Sequence, residues 1–345
     1  MRLVSISRTV LAAAALAMAP NAGAQQLFIR ETTSIGHPGQ GHVLWWRPRS
    51  VTFQVNATSA VTPPCGDAEK AATLAELSIP AWNSATTAGA GQGCTDFQFI
   101  KGPRTTLHAI GNDCVNLVVF RVGSCTDAKI VPPLDGCHGT AGACAPKYNC
   151  WEHDASIIGL TTTTFNPDTG EILDADIEVN GFYPPSVSGF QLSCGKPGDL
   201  DCPPAGAGSY DNTNCNKIDI GAVAVHEAGH VLGLNHVCTA LLGNDEYHDP
   251  TYDSICPAGS ASVMIPNVGD VALRAPLTAD VDGICGIYPL GQPTSTGVGS
   301  VPAQSEVCGT HEPKGGCGCG SAGAAELAGL ALVFALRAAR RLRRR

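Results

Sequence analysis

Eleven consecutive residues constrain this chain more than any others: His226-Glu227-Ala228-Gly229-His230-Val231-Leu232-Gly233-Leu234-Asn235-His236. Helical positions i and i+4 share a face, so His226 and His230 can aim an imidazole nitrogen at one ion. Asp219 is placed to cap that helix, expected from Ile220 to about Leu232. Glu227 stands beside the first histidine, where its carboxylate can reach a water at the ion rather than the ion itself. Gly233 ends the helix, because a residue without Cβ can take left-handed backbone and turn the chain sharply. The turn lets His236 return as a third ligand. Three imidazoles plus one water is the open arrangement of a catalytic zinc, not the closed four-ligand set of a structural one. Histidines that merely fill core or surface positions have no comparably simple reason for this spacing.

The extended pattern H-E-x-x-H-x-x-G-x-x-H is far more specific than H-E-x-x-H alone, and it resembles the signature of the metzincin clan of zinc endopeptidases. Ser262-Val263-Met264-Ile265-Pro266 is similar to the clan's Met-turn. The resemblance implies that Met264 lies beneath the metal as a hydrophobic floor, which is itself a packing role. Leu277-Thr278-Ala279-Asp280-Val281-Asp282-Gly283-Ile284-Cys285-Gly286-Ile287-Tyr288 resembles the closing helix of the matrixins. Ile172-Leu173-Asp174-Ala175-Asp176-Ile177-Glu178-Val179-Asn180 resembles the strand before their active-site helix.

The implied fold class is α+β: a twisted mixed β-sheet, an active-site helix, a Met-turn and a C-terminal helix. The implied activity is hydrolysis of internal peptide bonds in a protein or peptide substrate. Zinc would be held by His226, His230 and His236, with Glu227 as general base. An extended substrate would then lie along strand 156–165 at the sheet edge. Two other readings are weighed beside it: a zinc-binding but inactive surface adhesin, and a hydrolase acting on something other than protein. Against the adhesin, a decayed site would be expected to lose Glu227 first.

The chain departs from the matrixins in three ways. Val237 stands where they usually have Ser, several cysteines are extra, and the loops 181–217 and 238–261 are additional. Matrixins also bind structural zinc and calcium (Ca2+) through His and Asp loops; His138, His153 and Asp154 are the residues open to such structural roles here, and a plain surface role is preferred for them. Pro64-Cys65-Gly66-Asp67 superficially resembles the propeptide switch of that family. It lies inside the expected catalytic domain, so a disulfide is the preferred reading of Cys65.

Elsewhere the pattern is β-rich. Residues 50–55 (S-V-T-F-Q-V) alternate and are β-branched, and 97–100 and 115–122 also read as strands. Strands 156–165 and 171–179 flank the turn Asn166-Pro167-Asp168-Thr169-Gly170, which predicts a hairpin. Helices are expected from Asp67 to Leu77, with Pro80-Ala81-Trp82 continuing it, and after a Thr278 cap to Ile287. Segment 123–150 reads as loop stapled by disulfides.

The two ends differ from the middle. Arg2 and Arg8 precede nine apolar residues, Val10 to Met18, and Ala22-Gly23-Ala24 offers a small-residue cleavage site. This predicts a signal peptide over 1–24, since nine apolar residues are about half a membrane span. At the other end, Gly315-Gly316-Cys317-Gly318-Cys319-Gly320 leads into an apolar stretch, 322–336, and then six arginines. Fifteen helical residues reach only about 22 Å. The order Gly-Cys, apolar, poly-Arg resembles the C-terminal sorting tails of myxobacterial surface proteins. It implies a secreted protein retained on the outer cell surface through its tail. Between the ends we expect an arm (25–44), one catalytic domain (45–290), a stalk rich in Gly, Ser, Thr and Pro (291–316) and the tail (317–345).

Removing signal and tail sharpens the charge. The whole chain carries −9; what remains has 13 basic against 29 acidic residues, about −16. That argues against nucleic acid as a partner. Sixteen cysteines argue for an oxidising compartment, and 14 remain once the two in the tail are set aside, an even number. A monomer is expected.

Overall fold

The computed structural model describes residues 28–34, 41–58, 65, 67–85, 93–140, 142–155, 157–181, 191–195, 217–237, 262–265 and 273–297. The signal peptide, the tail, the stalk beyond residue 297 and most of both additional loops lie outside them. In chain order the elements begin with β1 (Ile29–Arg30), β2 (Trp45–Trp46), β3 (Ser50–Val55), α1 (Ala68–Ser78), β4 (Gln98–Lys101), β5 (Asn116–Phe120) and α2 (Cys144–Tyr148). There follow β6 (Gly159–Phe165), β7 (Glu171–Val179), β8 (Gln191–Ser193), β9 (Lys217–Asp219), α3 (Ile220–Val231), β10 (Leu234–Asn235) and α4 (Thr278–Ile287). A 3-10 turn, Ile79–Ser84, extends α1.

Strand β3 alternates as its sequence predicts: Val51, Phe53 and Val55 turn into the core. It lies between β4 and β5, both parallel to it. β5 pairs in parallel with the end of β7, and β2 with its start. The opposite edge of β7 is taken along nearly its whole length by antiparallel β6. The result is a six-stranded sheet, β2-β7-β5-β3-β4 with β6 beyond β7. β6 is therefore an edge strand among the described residues. The expected hairpin is present, with Gly170 N–H donating to Asn166 O at 2.8 Å.

One face of the sheet carries α1 and α3, packed on each other. Ala71, Ala72 and Ala75 are fully buried on α1, and their small side chains allow the close approach. Asp67 caps α1 by accepting from Glu69 and Lys70 N–H at 3.0 and 3.3 Å. The architecture is mixed α and β, with a largely parallel sheet and few helices. Among the described residues no helix is long and apolar enough to cross a membrane.

Three details differ from the sequence expectation. Thr278 is the first residue of α4 and not its cap; Leu277 takes that place, its N–H donating to Asp280 Oδ2 at 2.8 Å. The segment expected as an arm supplies β1, which pairs antiparallel with β10. Residues 291–297, expected as stalk, stay on the domain: Ser295 N–H donates to Ile287 O at 2.8 Å, and Thr296 is buried.

Disulfides join Cys65–Cys194, Cys94–Cys285, Cys125–Cys150 and Cys137–Cys144. Cys114 is also disulfide-bonded. Segment 123–150 is stapled by two of these bridges, as expected, and Cys65 is bridged rather than held as a free thiol.

The second face of β7 presents Asp174, Asp176 and Glu178, all buried. Segment 108–117 folds over them. Asp113 and Cys114 N–H donate to Asp174 Oδ2 at 2.9 and 3.1 Å, and Gly111 and Leu117 N–H donate to Asp176 at 2.8 and 2.9 Å. Burial, with the charge of Asp174 added, pushes Asp176 up to about 8; burial pushes Asp174 up to about 6. A carboxyl whose folded pKa is raised binds a proton on folding. Its stabilising contribution is complete below the unfolded value, near 4, and is lost as pH rises through the folded value. The melting temperature should therefore fall between pH 5 and pH 9, and Asp176→Asn should flatten that fall. An unchanged slope in the variant, followed by circular dichroism, would remove Asp176 as its source.

Candidate metal centre

Helix α3 is buried all round, from Ile220 to Val231, and is apolar but for His226, Glu227 and His230. Asp219 caps it, Oδ2 accepting from Ala222 N–H at 2.8 Å, and Arg274 Nε holds the same carboxylate at 2.7 Å. Aromatic donors fix the helix in place. Trp82 Nε1 donates to Val225 O at 3.0 Å, Trp46 Nε1 to Val231 O at 2.7 Å and Tyr288 Oη to Leu232 O at 3.0 Å. The last two satisfy carbonyls that the helix end leaves without an internal partner. Gly233 then takes φ +87°, the left-handed conformation expected of it, and β10 carries the chain back toward the helix.

The turn brings His226, His230 and His236 together. Their Nε2 atoms lie 3.0 Å (226 to 236), 3.2 Å (230 to 236) and 3.3 Å (230 to 226) apart. Ligands about 2.0–2.1 Å from a tetrahedral zinc stand roughly 3.3 Å from one another. The Nδ1 atoms face away: His226 Nδ1 is 2.6 Å from Val263 O, and His230 Nδ1 is 2.8 Å from Leu234 O. A carbonyl only accepts, so those Nδ1 atoms carry a hydrogen, and in the neutral rings that bind metal the matching Nε2 atoms carry lone pairs. Lone pairs converging in a buried site are satisfied by a cation. The donor set therefore fits a metal ion.

Without an ion, the three rings titrate apart. Burial, then the neighbouring His230 charge, pulls His226 down to about 3 and His236 well below the ordinary value. Burial also opposes the charged form of His230, yet the hydrogen bond and charge of Glu31 outweigh it and push His230 up to about 9.

Glu227 is buried beside this cluster, and burial raises its pKa against the pull of His230 and Thr161. Thr161 Oγ1, on the edge strand, donates to Glu227 Oε2 at 2.7 Å. Met264 lies under α3: a Cβ on Gly229 would stand 2.2 Å from its sulfur, so any larger residue there would displace the Met264 side chain. Asp280 fixes the turn by accepting from Ser262 Oγ and from Val263 N–H, the latter at 2.8 Å. Val237 N–H donates to Met264 O at 3.0 Å and ties the turn to the segment that carries the third histidine.

All five residues singled out from the sequence, His226, Glu227, His230, His236 and Met264, thus come together. His138, His153 and Asp154 do not form a ligand group among the described residues: His138 Nε2 lies 3.0 Å from Pro132 O, and His153 Nε2 3.3 Å from Glu178 Oε2. Cys125, Cys150 and Glu152 are also close together. The two cysteines are bridged, and Glu152 accepts from the N–H groups of Gly142, Cys144 and Ala145. Glu31 and Thr161 escaped sequence reasoning, since neither belongs to a motif. No protein-family model matches the chain, and no curated protein matches it.

Proposed function

We propose that this chain is a zinc-dependent endopeptidase with a metzincin-like catalytic domain, exported and displayed on the cell surface. The observation that carries the reading is the convergence of three Nε2 atoms within 3.3 Å, beside a carboxylate that is not among them. A zinc ion bound there would supply a Lewis acid and lower the pKa of a water from near 16 to about 7. The imidazoles of His226, His230 and His236 hold the ion's place from one helix and the turn after it. Glu227 takes the water proton on its carboxylate and returns it to the departing amine. Thr161 keeps that carboxylate oriented. The edge of β6 that is unpaired among the described residues, from two residues before Thr161 onward, offers backbone groups to an extended peptide, which suits protein substrates. The Met264 turn under the helix and the closing helix α4 support the metzincin-like reading.

Digestion of casein or gelatin tests it. Activity should be abolished by a chelator and restored by added zinc. Zinc bound at one equivalent without digestion of any protein would favour the inactive adhesin; no zinc uptake would overturn both.

A further inference from the structure

We propose that Glu31 is a positioning residue for the metal centre, orienting His230 from the N-terminal segment; this rests on the metal-binding reading above. Glu31 Oε1 lies 2.9 Å from His230 Nδ1. The carboxylate arrives there through backbone register. β1 pairs with β10 so that Arg30 stands opposite Leu234, and Glu31 N–H donates to Gly233 O at 2.9 Å. The segment thus braces the very turn that separates the second histidine from the third.

Its seat is well made. Arg30 Nη1 and Nη2 donate to Ser295 O and Leu44 O at 2.7 and 2.9 Å, Leu44 N–H donates to Glu31 O at 2.8 Å, and Phe28 packs on Gly283 and Gly286 of α4.

The Nδ1 hydrogen of His230 therefore has two acceptors, Leu234 O and Glu31. The carbonyl alone would fix the tautomer. The carboxylate adds negative charge behind the ring, which makes Nε2 a stronger donor to a cation and holds the ring plane. His226 has a carbonyl behind its Nδ1 at Val263, so the two helix-borne imidazoles are not equivalent. A carboxylate recruited from about 200 residues away, just after a two-residue strand, ties metal affinity to the seating of the N-terminal segment.

The test is zinc affinity of the full-length chain, measured by competition with a chromophoric chelator, for wild type, Glu31→Ala and Glu31→Gln. The Ala variant should bind zinc about 10- to 100-fold more weakly, with Gln between it and wild type because its amide oxygen still accepts. Metal-free melting temperatures separate positioning from packing: a purely structural role lowers them and leaves affinity unchanged. Both variants within about twofold of wild type in affinity would overturn the role of Glu31. A wild-type chain that takes up no zinc would instead overturn the metal reading itself. Should the Ala variant fail to fold, the near-isosteric Gln variant decides.

Discussion

Glu227→Gln should hold zinc at wild-type stoichiometry and hydrolyse casein about 10²- to 10⁴-fold more slowly. The substitution keeps the side chain's shape, and its amide oxygen can still accept from Thr161 Oγ1, as the carboxylate does at 2.7 Å. The three imidazole nitrogens are untouched, and their spacing does not depend on Glu227. What an amide lacks is a site for the water proton near neutral pH. Loss should therefore fall on kcat rather than on KM, because the interaction removed belongs to the transition state. Zinc content measured on the same preparation guards against a trivial cause. Activity within about tenfold of wild type would rule out Glu227 as the base.

The metal centre was the most legible part of the chain because its logic is local. His226 and His230 lie one helical turn apart, Gly233 marks the turn after them, and Asp219 announces the helix start. The β6–β7 hairpin was legible for the same reason: its turn chemistry and alternation sit in one short stretch.

What the sequence did not reveal is non-local. β1 has two residues and no periodicity, so its pairing with β10 follows from tertiary packing alone. Glu31 inherits that invisibility. The acids of β7 alternate with apolar residues and would suit a solvated face, yet segment 108–117 covers them with backbone donors. The cap of α4 fell one residue early because Asp280 reaches back to Leu277 N–H, a bond that competes with a Thr cap. Disulfide pairing across separations from 7 to 191 residues carries no pattern that spacing alone resolves.

The largest stability loss should come from Glu178→Ala, at about 3–5 kcal/mol. Arg121 has no exposed surface, and its Nε donates to Glu178 Oε1 at 2.7 Å. Its Nη1 reaches His108 O at 2.7 Å and Asn149 Oδ1 at 3.1 Å. Those neutral acceptors remain in the variant, but the compensating charge does not. Burial favours a neutral Glu178, yet His153 and Arg121 together hold its pKa below the ordinary value, so the pair is ionised. For a domain of this size the loss corresponds to a melting temperature roughly 6–20 °C lower. Replacing both partners by apolar residues, Arg121→Met with Glu178→Leu, should recover most of it, because no buried charge is then left unpaired. A single variant within about 1 kcal/mol of wild type, or a double variant no better than the single, would contradict this account. The consequence reaches the site through the sheet. Glu178 stands opposite Leu160, the residue before Thr161, in the β6–β7 ladder. Loosening that rung frees the edge strand whose hydroxyl orients Glu227. Activity of the single variant should therefore decline at temperatures where the global fold still persists, while the double variant keeps the strand in register and the base in place.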